Sequence, residues 1–514
     1  MVRIYLAKAA IAGDHVGPAG YIGNAPWCAV VNIGSGDIEW DCEYGSIEGR
    51  HDPATSQKSA LRRQRSKPEC GSSQFHLAIA FAINYFAINA LLRRWLRSAT
   101  GQLANCKGLV NMDFTLSPEI EDLRQRTRAF IEQNVLPLEA DPQNFSEHEN
   151  IPLARIAPVQ ENARKAGLWA PQSPKQFGGM ALPIVAWAAV YEEAARSLFG
   201  PLSINCSAPD DGNMNLLSRT GTPAQQEWWL RPVVEGKVKS SFAMTEPAPG
   251  GGSDPGMIRT RAEKKNGKWV ISGRKWFITG AGEAAHFIVI ARTSDDKRRG
   301  LTAFLYHRDQ PGWRVVRRIP IMGPEEHGGH CELEFDGLEV GDENVLLGVG
   351  DGLKVTQIRL GPARLTHCMR WLGWSKRCLE IAQDYVDKRE GFGVKLADRE
   401  SVQIKLGQVA QQIQIGRLLT MHAAWKLDRG DRARKEISMA KVHVADTLHE
   451  AADTAIQLNG ARGYSKDTVL EWIYRAARAA RLVDGASEVH NMVLARFLRE
   501  EGRDFWSWSA RNRI

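Results

Sequence analysis

Phe242-Ala-Met-Thr-Glu-Pro-Ala-Pro-Gly-Gly-Gly-Ser-Asp254, followed after a strand-like segment by Gly273-Arg-Lys-Trp-Phe-Ile-Thr-Gly-Ala-Gly282, decides how the rest of the chain is read. A glycine-dense turn exposes backbone N–H donors. Thr245, Ser253 and Thr279 add hydroxyls beside an acid and aromatics. Such a set suits a planar ligand with a polar edge. A Rossmann reading fails, because the third glycine position falls on Pro255 and a strand rather than a helix follows. No Gly-Lys-Ser/Thr triplet offers a Walker-type phosphate loop. On composition alone, a long turn of a β domain is the plainer reading of the stretch.

The pattern changes on either side. From 112 to about 240 it is helical: Glu121–Val135, Leu153–Gly167 and Ile184–Ser197 carry apolar residues at three- and four-residue spacing. Ser117 is placed as N-cap and Pro118 as first helical residue, with Glu119 and Glu121 at the positive end. From 241 to 350 the period shifts toward two. Lys268–Gly273, His286–Thr293, Leu301–Tyr306, Trp313–Ile321 and Cys331–Phe335 read as strands of an antiparallel β domain. From 351 to 514 the chain is helical again, with long candidates at Leu360–Arg389, Ser401–Asp428, Lys435–Leu458 and Ser487–Arg499 that suggest a four-helix bundle. The fold class expected is α+β multidomain, in the order α, β, α. Residues 1–111 differ: no period is sustained, and Arg62-Arg-Gln-Arg65 lies in a polar, basic stretch. The abrupt helix start after Met112 predicts that the functional part begins there and that the leader, of unknown role, is dispensable.

Composition excludes several classes. The 514 residues allow two or three domains. Net charge is +8, but 59 acids are interspersed with the bases and no basic run interleaves aromatics, so no nucleic-acid partner is expected. Eight cysteines without a Cys-x-x-Cys pair fit a reduced compartment. The N-terminus has no signal-peptide pattern, which points to the cytoplasm. Leu77–Leu92 is the one long apolar run; it contains Asn84 and Asn89 and falls short of the roughly 20 residues of a spanning helix, so no integral membrane segment is expected.

Phe-Ala-Met-Thr-Glu-Pro…Gly-Ser-Asp followed by Gly-Arg-Lys-Trp-Phe-Ile-Thr-Gly resembles the flavin-binding signature of the acyl-CoA dehydrogenase family, whose domains run in the same α, β, α order. The resemblance covers about Met112 to Glu500. Arg389-Glu-Gly-Phe392-Gly resembles the family's Arg-x-x-Phe-Gly, which reaches the FAD of a neighbouring subunit. Gln457-Leu-Asn-Gly460-Ala-Arg-Gly463-Tyr is similar to its Gln-x-x-Gly-Gly-x-Gly-Tyr turn, where backbone amides meet the cofactor. Arg364 falls where the family has an arginine near the CoA-ester site, and Asp484-Gly-Ala-Ser-Glu-Val-His490 falls where it has its catalytic carboxylate. The Asp form of that segment resembles one branch, comprising bacterial members and animal members fused to a kinase-like domain.

The resemblance implies FAD as cofactor, an acyl-CoA thioester as substrate and an electron-transfer flavoprotein as electron acceptor. It implies a homodimer or homotetramer, since Arg389 and Phe392 would serve a neighbour's FAD. Thr245 and Thr279 would meet the flavin edge, with Thr279 near N5. Phe277 stands where the family usually has Trp, and Met244 would pack. Ser253 would lie near pantetheine and flavin, and Gly485 and Arg364 near the substrate. Asp484 would be the base, taking the α-proton while hydride leaves the β-carbon, and burial is expected to raise its pKa. Asp484 would also suit an N-cap of the helix that follows. Most members carry Glu there. A second base location, before Arg364, holds Ala363.

Two departures bear on geometry: Gly391 sits inside the Arg-x-x-Phe-Gly segment, and Ala461 replaces a turn glycine where positive φ would be disfavoured. Glu325-Glu-His327-Gly-Gly-His330-Cys331 mixes zinc-ligand types, but without a second ligand group at zinc spacing it is expected to be a polar turn near the site, with no metal. Two other functions fit the same pattern: a nitroalkane-oxidase-like flavin oxidase, which also uses Asp, and a flavin-free scaffold. Acyl chain length and branching are not legible.

Overall fold

The computed structural model describes residues 2–5, 30–33, 38–41, 114–145 and 151–507. It divides into two units, Met1–Met112 and Asp113–Ile514. In the first, strands β1 (Val2–Tyr5), β2 (Val30–Ile33) and β3 (Ile38–Asp41) pair antiparallel in that order. No periodic signal in the sequence announces this sheet. The stretches Arg62–Arg65 and Leu77–Leu92, and Met112 itself, lie outside the described residues.

The second unit opens with helix α1 (Pro118–Asn134), with Pro118 in its first turn as the sequence predicts. The Ser117 hydroxyl accepts from the Ile120 amide at 3.4 Å. Helices α2 (Leu153–Lys165) and α3 (Ile184–Ala194) follow, and then α4 (Asp210–Thr220), which the periodicity missed. Helix α4 turns a polar face inward: Asp210, Asp211, Asn213 and Asn215 are all buried. A hydropathy pattern assigns such a face to solvent.

The middle sheet comprises β4 (Ser240–Ala243), β5 (Arg261–Lys265), β6 (Lys268–Thr279), β7 (His286–Arg292), β8 (Leu301–His307), β9 (Trp313–Arg318) and β10 (His330–Val340). Its order is β4-β7-β5-β6-β10-β9, with β8 on β7. Pairing is antiparallel except where β4 and β5 meet β7 in parallel. The apolar runs of β7 and β8 have a direct cause. Ile288, Ile290, Ala303 and Leu305 join the core shared with the helices, while Phe287, Val289, Phe304 and Tyr306 join a second core with Trp269 and Phe335. Both faces are buried, so polar alternation is lost. Strand β5 reads Arg-Ala-Glu-Lys-Lys and buries only Ala262, which hid it from the sequence reading.

The C-terminal region holds α5 (Gly352–Lys388), α6 (Glu400–Asp428), α7 (Arg434–Asn459), α8 (Leu470–Ala480) and α9 (Ser487–Glu501). The sequence reading lacked α8. It also began α5 at Leu360, eight residues after its actual start. Helix α5 passes through Pro362 for 37 residues, roughly 55 Å at the usual rise. Its early start carries Arg359 into the site. Among the described residues, no helix is long and apolar enough to cross a membrane.

Candidate active site

A cleft of about 1790 Å³ is lined by β4 and the loop after it, the end of β6, the first half of α5, and the turn between α8 and α9. Of the residues singled out above, Met244, Thr245, Ser253, Phe277, Thr279, Arg364, Asp484 and Gly485 all line it. They are up to 241 positions apart in sequence, and the fold brings them together. Arg389, Phe392, Gln457 and Gly460 do not line it; all four are exposed, and Phe392 is 101% exposed on a hairpin of Glu390–Gly391 with Val394–Lys395. The two outlying segments are close to one another: the Arg462 guanidinium lies 5.8 Å from the ring of Tyr385, whose carbonyl accepts from the Arg389 amide.

The glycine-rich loop is anchored by a group the sequence reading did not select. Lys275, fully buried on β6, donates to Glu246 Oε1 and to the Met244 carbonyl, both at 2.8 Å. Glu246 also accepts from the Arg259 and Thr260 amides at 2.7 and 2.9 Å. Burial pushes the Lys275 ammonium down to about 8, against the pull of Glu246. The same pair acts in the other direction on the carboxyl, whose burial is outweighed by Lys275 so that it lies below its ordinary range. The Trp276 amide donates to the Thr245 carbonyl at 2.9 Å, fixing the strand that presents Phe277. Phe277 is 46% exposed and holds φ +51°. A bulky aromatic in the left-handed region is strained backbone, which persists where surrounding contacts over-determine it.

Asp484 sits in the turn before α9. The cap position of that helix is Ala486, so the N-cap role open to Asp484 on sequence is not the one it takes. Its φ is +52° and that of Gly485 is +101°, two consecutive left-handed residues. Three donors grip the carbonyls of this turn. Arg364 Nε donates to the Asp484 carbonyl at 2.7 Å, Lys441 Nζ to the Gly485 carbonyl at 2.7 Å, and His490 Nε2 lies 3.4 Å from the Asp484 carbonyl. Burial pushes Lys441 down to about 8 and His490 down to about 4.

The Asp484 carboxyl corrects one expectation. Burial does push its pKa up. The His367 ring beside it and the positive fields of Arg359, His367 and Arg364 outweigh it, and the group lies well below the usual carboxylate range. His367 Nε2 and the Arg359 guanidinium lie 3.4 and 3.7 Å from Oδ2. His367 is itself set by stacking on Trp371 and by Arg370, 3.3 Å from its Nδ1, which is paired in turn with buried Asp211 at 2.6 Å. The signal for this in the sequence was the run Arg364-Leu-Thr-His-Cys-Met-Arg370, where i, i+3 spacing puts Arg364, His367 and Arg370 along one side of a helix. Ala363, at the alternative base location, is buried and offers no carboxylate.

Ala461 carries no strain: Gly460 takes the positive φ, +60°, and Ala461 begins a helical turn, Ala461–Tyr464. The mixed cluster Glu325–Cys331 resolves into separate contacts. Glu325 pairs with Arg318 at 2.6 Å, Glu326 with His330 at 3.1 Å, and His327 Nε2 lies 2.6 Å from the Ile151 carbonyl. Among the described residues, no group of three or more His, Cys, Asp or Glu is placed to hold a metal ion.

An α, β, α chain with a deep cleft between sheet and bundle, hydroxyls on one wall and a carboxylate on the other, defines a class before any comparison is made. The comparisons agree with it. Residues 117–237, 241–338 and 350–499 match the acyl-CoA dehydrogenase N-terminal, middle and C-terminal domains. The chain belongs to the acyl-CoA dehydrogenase family. It is 35% identical over 398 residues to the Mycobacterium tuberculosis protein named "Probable acyl-CoA dehydrogenase FadE2", covering 75% of this chain and 96% of that one. It is 35% identical over 430 residues to mouse acyl-CoA dehydrogenase family member 11, covering 80% of this chain but only 54% of the mouse protein, so it spans about half that relative's length. Butyryl-CoA dehydrogenase of Megasphaera elsdenii superposes with a TM-score of 0.67 at 27% identity, over 76% of this chain and 100% of that one.

Proposed function

We propose that this chain is an FAD-dependent acyl-CoA dehydrogenase that introduces a trans-2,3 double bond, with Asp484 taking the α-proton. One observation carries the reading: a carboxylate from the α8–α9 turn and hydroxyls from the β domain face a single cleft. At about 1790 Å³ the cleft exceeds the roughly 300–1,000 Å³ of a single small-ligand site, which leaves room for a dinucleotide and a thioester together. Phe277 offers an exposed ring, and Thr245, Ser253 and Thr279 offer hydroxyls to the edge of an isoalloxazine. FAD would supply the hydride acceptor that no side chain provides.

The remaining tasks belong to the chain's own residues. Asp484, held ionised by Arg359, His367 and Arg364, presents its carboxylate to the cleft. Its aim is set through the main chain, because Arg364 and Lys441 hold the carbonyls of the turn that carries it. Thr279 would meet the flavin near N5. Arg389, Phe392, Gln457 and Gly460 face outward and would complete the cofactor site of a neighbouring subunit, making the enzyme a homo-oligomer. Electrons would leave to an electron-transfer flavoprotein.

Asp484→Asn tests the assignment. The variant retains bound FAD, while anaerobic bleaching of its flavin by acyl-CoA slows by about 10²–10⁴-fold, the range for loss of a general base. Bleaching at the parent's rate would discard Asp484 as the base.

A further inference from the structure

Behind Thr279 stands a group that the mechanism above does not use. His330 on β10 is the direct cross-strand partner of Thr279 on β6, and its Nδ1 lies 3.1 Å from the Thr279 hydroxyl. Its Nε2 lies 3.1 Å from Glu326 Oε2. The three side chains form a line, Glu326–His330–Thr279, whose last two members face the cleft. The line is built in place. Gly280 and Gly282 donate their amides to the Gly329 and Gly328 carbonyls at 2.7 and 3.0 Å, tying the turn that bears Glu326 to the turn that follows Thr279. Gly328 has φ +81°, and a Cβ there would come within 2.6 Å of the Gly280 carbonyl, so the two turns meet closely. Ser241 donates to the Thr279 carbonyl at 2.7 Å, fixing that residue's main chain as well. Glu325 is drawn aside by Arg318.

We propose that Glu326 and His330 form a proton-dependent switch that sets whether the Thr279 hydroxyl donates into the cleft or accepts from it, and so couples His330 protonation to the redox state of the bound flavin. The proposal rests on the flavin reading given above. Its logic is donor counting. When the imidazole is neutral with its proton on Nε2, shared with Glu326, Nδ1 is an acceptor and receives a hydrogen bond from the Thr279 hydroxyl. The hydroxyl oxygen then turns lone pairs to the cleft and accepts the N–H that a reduced flavin carries at N5. When the imidazole is protonated, Nδ1–H donates to the hydroxyl, whose own proton turns to the cleft and meets the bare N5 of an oxidised flavin. No bond to carbon forms or breaks in the switch. A single proton joins or leaves His330, exchanged with solvent through half-buried Glu326. The groups facing this pair are Glu325 and Arg318 toward His330, and His367 of α5 toward Glu326. Burial pulls the His330 pKa down, but Glu326 prevails and raises it above its ordinary value. His330 and Glu326 are positioning residues here, acting through Thr279.

The test uses the full-length FAD-loaded protein. The midpoint potential of the flavin, followed from pH 5 to 9, is expected to change slope at the His330 titration midpoint. The slope change should vanish in His330→Asn, whose amide can still reach the hydroxyl but does not titrate, and in Thr279→Val. A slope change that survives in His330→Asn overturns the proposal, as does a straight line in the parent. A second readout needs no flavin. In protein labelled with ¹⁵N-histidine, the His330 midpoint should fall by about one pH unit in Glu326→Gln, the scale expected for a lost neighbouring charge; an unmoved midpoint overturns the switch. Protein that takes up no FAD would sink the flavin reading instead, and the imidazole titration separates that failure from failure of the switch.

Discussion

The loop after β4 and the turn before α9 face each other across one cleft, yet they are stabilised by opposite means. The loop is held through side chains: Lys275 and Glu246 form a buried ion pair, and Glu246 collects two backbone amides. The turn is held through its own carbonyls, which take hydrogen bonds from Arg364 and Lys441. In the loop, the residues that bind and the residues that brace lie within the same 41 positions. In the turn, two of the three braces come from helices 43 and 120 positions upstream. A wall that must present several hydroxyls in fixed array is assembled locally. A wall that must aim one carboxylate is assembled from the bundle, so its aim depends on the whole C-terminal core.

If this contrast is correct, the largest effect comes from the loop. Glu246→Gln leaves Lys275 buried without its counter-ion and should destabilise the protein by about 3–5 kcal/mol, measured by denaturant unfolding, with loss of FAD accompanying it. A smaller effect comes from the turn. Lys441→Met removes one carbonyl donor, and flavin bleaching should slow about tenfold, the 1.4 kcal/mol scale of one such hydrogen bond, while FAD content stays at the parent's level. A Lys441→Met protein without FAD would erase the distinction between the two walls.

Lys441 also marks the turn through pH. Its folded pKa is about 8, against about 10.4 for an unfolded lysine. Below pH 8 both states are protonated. Between pH 8 and about 10.4 the unfolded state binds more protons, so stability from this group rises with pH. Lys441→Met should flatten the rise of unfolding free energy in that window, as read from denaturation curves at several pH values. The smallest effect belongs to His367→Phe, which keeps a ring on Trp371 but removes the imidazole beside Asp484. The acid limb of the bleaching rate should move toward neutrality by about one pH unit, because less favourable surroundings now hold the carboxylate ionised.

These features differ in how far the sequence disclosed them. Period alone separated the α, β and α segments, and Ser117-Pro118 marked a helix start that the structure confirms. Helix α4 escaped because its Asp and Asn residues point inward, against the usual sense of polarity. Strand β5 escaped because charge dominates it. Thr245, Ser253, Phe277 and Thr279 were visible because a short motif carries them, and Asp484 because a second motif does. The direction of the Asp484 pKa was not visible: Arg359 and His367 reach it from positions more than a hundred residues away, and Arg359 lies just before the helix start expected at Leu360. Glu246 and Lys275 stood in plain view within the quoted motifs, but nothing local reveals that both are buried and paired.

The paired left-handed residues Asp484 and Gly485 have a further consequence. Among side-chain-bearing residues, Asp and Asn visit that backbone region most easily, because a short polar side chain can bond locally there, whereas longer residues are penalised by roughly 1–2 kcal/mol. The backbone therefore narrows the choice at position 484 before any chemistry is considered. Of the two acidic residues, it admits the shorter and resists the longer. On this view the identity of the carboxylate is a conformational selection, and a longer acid at 484 would have to reshape the turn that Arg364 and Lys441 hold shut.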